Sequence, residues 1–149
     1  MKIYLATDHA GFSLKEEVKK FLIDEGHEVE DLGAFSFEKE DDYPEYIVNA
    51  AKKVSKDAGS RGIVFGKSGT GEEIVANKID NVRAFTGVDE ENVRLAREHN
   101  DANVLSLGSE FVDFEKAKTL IKIFIETPFA NEERHQRRLD EIAKIEENN

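Results

Sequence analysis

The chain has 149 residues, of which 39% are hydrophobic and 36% are charged, and its formal net charge is −11 at pH 7. This length is enough to bury one hydrophobic core, so we expect a single domain over residues 1–149. The negative charge disfavours nucleic acids and anionic membranes as partners, because such partners require a cationic face. The absence of cysteine excludes disulfides, thiolate metal ligands and thiol catalysis.

The sequence shows no segment for membrane insertion or export. No apolar run approaches the roughly 20 residues that a bilayer-spanning helix needs. Asp8 and His9 interrupt the first apolar segment where a secretory signal would have to continue. We therefore expect a cytoplasmic protein.

Hydrophobic periodicity alternates between strand and helix in chain order. Ser13 and Glu16 form a capping-box pattern that predicts the start of the first helix, Gly26 its end, and Pro44 the start of the second. The predicted strands are 2–7, 27–32, 62–65, 82–86 and 104–107. A helix is predicted after each strand. The second helix ends at about residue 58, the fourth spans 89–98, and the last two span 114–126 and 132–147. This order predicts a parallel sheet between helices, with ligands outside the carboxyl ends of the strands.

Polar residues gather at three places that we expect to meet at that edge. Asp8 and His9 follow the first strand, the segment 66–73 (GKSGTGEE) follows the third, and His99 with Asn100 ends the helix after the fourth. Glycines between a strand and a helix let backbone N–H groups converge on an anion. The alternative for this loop is a tight turn without a ligand.

The glycine-rich loop matches no nucleotide or hydrolase motif. A P-loop needs glycine where this chain has Arg61, and a dinucleotide fingerprint needs glycine or alanine where it has Ile74. A nucleophile elbow around Ser68 needs glycine where it has Thr70.

Two residues near these clusters are candidates for proton transfer. Glu72 follows the loop glycines in the first turn of a helix, so it is a candidate general base, although a carboxylate there often only complements the helix dipole, as Glu73 does. His99 lies at a helix end, where a histidine often serves only to bind terminal carbonyls. His27 lies in a polar turn, and we assign it no role.

The segment 134–138 (RHQRR) is the densest basic stretch. Arg134 and Arg138 are four residues apart, so on a helix they share one face and fit one phosphate. The alternative is ion pairing with neighbours such as Glu133 and Asp140, which contributes little to stability.

Together these motifs resemble the ribose-5-phosphate isomerase type B family, within the larger family that includes the galactose-6-phosphate isomerase subunits. The resemblance spans nearly the whole chain. It rests on TDHAG (7–11), DLG (31–33), DYP (42–44), GKSGTGEEIVANK (66–78), REHNDANVLSLG (97–108) and RHQRR (134–138).

The resemblance implies a Rossmann-like three-layer sandwich with a five-stranded parallel sheet. It implies a sugar-phosphate substrate, no metal or other cofactor, and a homodimer or homotetramer with active sites between subunits, reached by the basic helix 132–147. It assigns catalysis to Glu72, His99 and Ser68, with His99 in ring opening. The substrate-binding residues it implies are Asp8, His9, Tyr43, Gly69, Thr70, Gly71, Asn100, Arg134 and Arg138.

The family uses one of two bases, a cysteine at the position of Gly66 or a glutamate at the position of Glu72. Because this chain has no cysteine, the resemblance implies Glu72. Two positions depart from the family pattern: Glu110 stands where many members have a phosphate-binding arginine, and Lys67 replaces a glycine. Alternatives are isomerisation of galactose 6-phosphate or allose 6-phosphate, a non-catalytic sugar-phosphate-binding module, and a purely structural domain.

Overall fold

The computed structural model describes all 149 residues and contains one five-stranded parallel sheet, ordered β2-β1-β3-β5-β4. The predicted fold class is confirmed. The strands are β1 (Lys2–Thr7), β2 (Glu28–Asp31), β3 (Arg61–Gly66), β4 (Ala84–Thr86) and β5 (Val104–Gly108). The helices are α1 (Phe12–Asp24), α2 (Pro44–Lys56), α3 (Thr70–Ala76), α4 (Glu90–Asn100), α5 (Phe114–Glu126) and α6 (Glu133–Glu147).

Helices cover both faces of the sheet because its strands are apolar on both sides. Ile3 and Leu5 of β1 pack with α1, α4 and α5 in one cluster of buried residues. Tyr4 and Ala6, which alternate with them, pack with α2 and α3 in a second cluster. The result is the predicted three-layer arrangement. No helix combines the length and apolar character needed to cross a membrane.

The order of the strands fixes where a ligand crevice lies. The chain leaves β1 through α1 towards β2 on one side of the sheet, and it leaves β3 through α3 towards β4 on the other. Because β1 and β3 are neighbours, the two connections diverge and open a crevice beyond the carboxyl ends of these strands.

The predicted capping box at Ser13 is wrong. Helix α1 begins at Phe12, and its N-cap Gly11 offers no side chain, so Ser13 already lies inside the first turn. A short 3-10 turn over His9–Gly11 leads directly into the helix. The side chain of Asp8 caps that turn by accepting a hydrogen bond of 3.0 Å from the amide of Ala10.

Strand β4 is shorter than predicted, since only Ala84–Thr86 of the segment 82–86 pairs with β5. The amide of Arg83 instead donates to the side-chain Oδ1 of Asn103 at 2.8 Å, which takes it out of the ladder. The predicted start of α2 at Pro44 is confirmed, as is the stop at Gly26, whose φ of 90° suits glycine.

A buried ion pair joins α1 to the end of β2. Lys15 is fully buried, and its Nζ lies 2.8 Å from both carboxylate oxygens of Asp31 and 2.6 Å from the carbonyl of Ala34. Burial alone would raise the pKa of Asp31, but hydrogen bonds from Lys15, from the amide of Gly33 and from Lys19 outweigh it and lower that pKa. The pair therefore holds the chain as it leaves β2.

We expect Asp31→Asn to destabilise the fold by about 3 kcal/mol, because it leaves the buried ammonium of Lys15 with only the partly exposed carboxylate of Glu16, 3.3 Å away, as a counter-charge. Since the pKa of Asp31 is lowered by folding, its contribution is complete above the unfolded-state pKa and is lost as pH falls through the folded-state pKa. Urea unfolding at neutral and acid pH measures both effects.

The matched control is Asp24→Asn, which breaks an exposed pair with Lys20 on the same helix. It should leave stability nearly unchanged. Equal costs for the two variants would contradict the assignment of Lys15 and Asp31 as a stabilising buried pair.

Candidate active site

The carboxylate of Glu72 lies against the backbone of Gly66. Glu72 is in the first turn of α3 and is only 3% exposed, while Gly66 is the last residue of β3. A Cβ at Gly66 would overlap both carboxylate oxygens of Glu72, so the carboxylate occupies the volume that a side chain at position 66 would fill. Strand β3 and helix α3 together therefore place this group at the crevice.

Burial raises the pKa of Glu72. The backbone amides of Glu72 and Gly69 act in the opposite direction, and the negative charge of Asp8 adds to the rise. A carboxylate with a raised pKa is a stronger base than an exposed one, which suits it to abstracting a proton from carbon.

The loop between β3 and α3 is held by its carbonyl groups. Those of Gly66 and Lys67 accept hydrogen bonds of 2.8 and 3.0 Å from the amides of Ser109 and Glu110. The carbonyl of Gly69 accepts a 2.7 Å bond from the hydroxyl of Ser106, beneath a left-handed turn with φ of 86° that favours glycine. These bonds fix the loop against β5.

The predicted loop residues lie together at the crevice. Ser68 and Thr70 are exposed, and the Ser68 hydroxyl accepts a 3.2 Å hydrogen bond from the amide of Thr70. The ring of Tyr43, directly before α2, occupies the space next to Gly71 where a Cβ would stand. Amides in the first turn of a helix lack intrahelical acceptors, so that of Gly71 is available to an anion, and that of Thr70 becomes available when a ligand replaces the Ser68 hydroxyl as its acceptor.

Asp8 and His9 reach the same crevice from β1, as predicted. Asp8 is 6% exposed, and His9 is half-buried with its ring perpendicular to that of Phe37 at 5.9 Å between centroids. Sequence reasoning missed Asp41, whose Oδ1 lies 2.7 Å from His9 Nδ1. Ligand atoms of Asp8, His9 and Asp41 lie within 4.8 Å of one another. The hydrogen bond to Asp41 raises the pKa of His9.

The structure does not bring His99 and Asn100 to this crevice within one chain, so that expectation is wrong. Helix α4 starts after β4 and ends before β5, so it runs antiparallel to the strands and carries these residues to the opposite edge of the sheet. Its 11 residues correspond to about 16 Å of helix.

At that opposite edge His99 joins the basic helix α6. The ring of His99 stacks on His135, with centroids 4.4 Å apart and an angle of 18° between the planes. His135 was not predicted; it is 5% exposed, and its burial lowers its pKa. Arg134 and Arg138 lie on the exposed side of α6, where Arg134 pairs with Glu132 at 3.0 Å and Arg138 makes no ion pair.

The two residues that depart from the family pattern lie side by side at the loop. The amide of Glu110 donates to the carbonyl of Lys67 at 3.0 Å, and both side chains are exposed. The positively charged side chain of Lys67 and the negatively charged side chain of Glu110 therefore start from neighbouring points on the rim of the crevice.

Known proteins resemble this chain over nearly its full length. The family model described as Ribose/Galactose Isomerase matches residues 3–142. The chain belongs to the ribose/galactose isomerase family. Within it, ribose-5-phosphate isomerase B of Mycobacterium leprae is 42% identical over 98% of this chain and 90% of the relative. The enzyme of the same name from Escherichia coli is 37% identical over 98% and 97%.

Solved structures from the ribose/galactose isomerase family share the fold. Ribose-5-phosphate isomerase B of Mycoplasma genitalium, solved with bound ribulose-5-phosphate, has a TM-score of 0.95 and 36% identity, covering 99% of this chain and 97% of that one. The type B enzyme of Trypanosoma cruzi has a TM-score of 0.94 and 30% identity over 100% of both chains.

We expect Glu72→Gln to raise the free energy of unfolding at neutral pH. Because folding raises the pKa of Glu72, the ionised group opposes folding, and stability falls as pH rises through the folded-state pKa. The gain should therefore disappear below the pKa of an unfolded glutamate. Thermal unfolding of both proteins across acid and neutral pH measures it.

Glu73→Gln is the control for this effect, since Glu73 lies beside Glu72 but accepts a 2.8 Å hydrogen bond from the hydroxyl of Thr86. It should not stabilise the fold. A Glu72→Gln variant less stable than the wild type at neutral pH would argue against a buried carboxylate whose ionisation opposes folding.

Proposed function

We propose that the chain is an aldose–ketose isomerase that interconverts ribose 5-phosphate and ribulose 5-phosphate. The observation that carries the proposal is the buried carboxylate of Glu72, set against Gly66 beside the amides of the glycine-rich loop. The bound ribulose-5-phosphate of the Mycoplasma genitalium relative supports the same substrate. Proton transfer needs no metal or nucleotide, because Glu72 itself accepts and returns the proton.

The proposed reaction runs through an enediolate. After the sugar ring opens, Glu72 removes the proton from C2, and the electron pair moves to the C1 carbonyl oxygen to form a cis-enediolate. The proton of the C2 hydroxyl then passes to O1, and Glu72 returns the first proton to C1 as the C2 carbonyl forms, which gives the ketose. The raised pKa of Glu72 favours both halves, because one group must act as base and then as acid.

The loop would stabilise the charge that develops in this step. The amides of Thr70 and Gly71 in the first turn of α3 are suited to the enediolate oxygens, with the Ser68 hydroxyl beside them. The loop carbonyls are already bound to Ser106, Ser109 and Glu110, so the amides are preorganised before the substrate arrives. Asp8, His9 and Tyr43 line the same crevice and would hold the sugar.

The remaining residues would come from a second copy of the chain. His99, Asn100, Arg134 and Arg138 lie at the opposite edge of the sheet from Glu72, so one chain holds two half-sites. We propose that a homodimer, alone or within a homotetramer, joins the Glu72 half of one copy to the His99 half of the other. His99 would open the ring, and the two arginines would bind the phosphate.

We place the protein in the cytoplasm as part of this proposal, because phosphorylated sugars are substrates of intracellular metabolism.

We expect Glu72→Gln to lower kcat for ribose 5-phosphate by about a thousandfold while KM changes little, because the amide retains the shape but not the base. A coupled assay of ribulose 5-phosphate formation measures both constants. Glu73→Gln, which removes the neighbouring charge, should retain kcat near the wild-type value.

The same assay with galactose 6-phosphate and allose 6-phosphate tests the substrate. We expect the largest kcat/KM for ribose 5-phosphate. Turnover by Glu72→Gln at the wild-type rate would contradict the assignment of the base, and no turnover of any aldose phosphate by the wild type would contradict the enzyme proposal.

The shared site predicts complementation between inactive variants. Glu72→Gln and His99→Asn should each be nearly inactive alone, but mixed dimers contain one site with both changes and one site with neither. After unfolding and refolding an equimolar mixture, we expect about a quarter of the wild-type activity, since about half of the dimers are mixed. The wild type refolded in the same way sets the reference.

Mixtures that stay as inactive as the separate variants, in preparations whose native mass shows mixed dimers, would contradict a site built from two copies.

A further inference from the structure

The side chain of Asp41 is buried beside His9, in the segment between β2 and α2. Its exposed fraction is 5%, against 32% for His9. Its Oδ1 accepts from the backbone amide of His9 at 3.0 Å and faces the ring Nδ1 at 2.7 Å. Both contacts of this carboxylate are therefore with one residue.

Nothing else in the chain accounts for the burial of Asp41. Its Oδ2 is buried and has no hydrogen-bond partner. Burying a carboxylate with an unsatisfied oxygen costs stability, so a group of this kind is expected to serve a purpose other than stabilising the fold. The pairing with Lys15 that explains Asp31 has no counterpart here, because Asp41 has no lysine or arginine within 4.0 Å.

The two contacts determine how the His9 ring stands. A carboxylate oxygen only accepts, so Nδ1 must carry a hydrogen, and Nε2 is then the nitrogen that remains for other partners. The bond to the His9 amide holds the backbone at the same time, and the ring of Phe37 lies perpendicular to the imidazole. Ring and backbone are thus held from one side.

We propose that Asp41 is a positioning residue that fixes the His9 imidazole with Nδ1–H towards itself and Nε2 towards the substrate crevice. Asp41 does not touch the substrate and acts through His9. The inference rests on the proposed function for the substrate it invokes, but the Asp41–His9 contact is independent of that function.

The charges around His9 are all negative. Asp41, Asp8 and Glu40 each favour the protonated ring, and burial opposes them, with the hydrogen bond to Asp41 as the largest effect and a raised pKa as the result. Replacing Asp41 should therefore lower the pKa of His9 more than replacing any other residue of this segment.

Nuclear magnetic resonance of the wild-type protein gives the first test and needs no variant. The imidazole ¹⁵N shifts, assigned by the loss of signals in His9→Asn, should show neutral His9 with its hydrogen on Nδ1. The Nε2–H form, which is the commoner form of free histidine, would overturn the proposal. This outcome is decided whether or not the protein isomerises any sugar.

The second test compares Asp41→Asn with Glu38→Gln, which removes a charge from an exposed position of the same segment. Asp41→Asn should shift the His9 titration to lower pH and raise KM for ribose 5-phosphate roughly tenfold with a smaller change in kcat, the scale of one charge-assisted hydrogen bond. Glu38→Gln should change neither.

A double variant separates positioning from a general structural role. If Asp41 acts through His9, Asp41→Asn with His9→Asn should cost no more in kcat/KM than His9→Asn alone. Additive costs, or a His9 titration unchanged by Asp41→Asn, would overturn the proposal. A wild type inactive on every aldose phosphate would instead overturn the proposed function and leave the resonance result standing.

Discussion

Glu72 keeps a carboxylate in the interior because Gly66 has no side chain there, and the rest of the site is arranged around this contact. The first turn of α3 directs the carboxylate back towards the end of β3, and the left-handed Gly69 allows the chain to turn between them. Hydrogen bonds from the β5 side then hold the loop in place. Burial produces the raised pKa, so the packing and the proposed chemistry have the same origin.

Much of the fold could be predicted from the sequence, because buried parallel strands and amphipathic helices leave strong periodic patterns. The polar residues after β1 and β3 could be placed for the same reason. The position of His99 could not be predicted in this way, because it depends on the direction in which α4 runs relative to the sheet and not on how closely His99 follows a strand in the sequence. The capping box predicted at Ser13 is wrong for a local reason: the side chain of Asp8 caps the 3-10 turn that leads directly into the helix.

Contacts between distant segments account for what the sequence did not reveal. Asp41 stands in the acidic run 38–42, where its neighbours are solvated, and only the approach of β1 makes it the partner of His9. His135 lies among arginines, yet it is the buried member of that stretch because α6 turns it onto His99. In both cases composition describes a charged surface, while the tertiary structure selects one residue from it.

The overlap between position 66 and the Glu72 carboxylate also means that these two positions cannot vary independently of each other. A cysteine introduced at Gly66 would compete for the volume that the Glu72 carboxylate fills, so it would displace that carboxylate unless residue 72 changed as well. Positions 66 and 72 therefore share one volume, and a side chain at one of them requires a smaller or redirected side chain at the other.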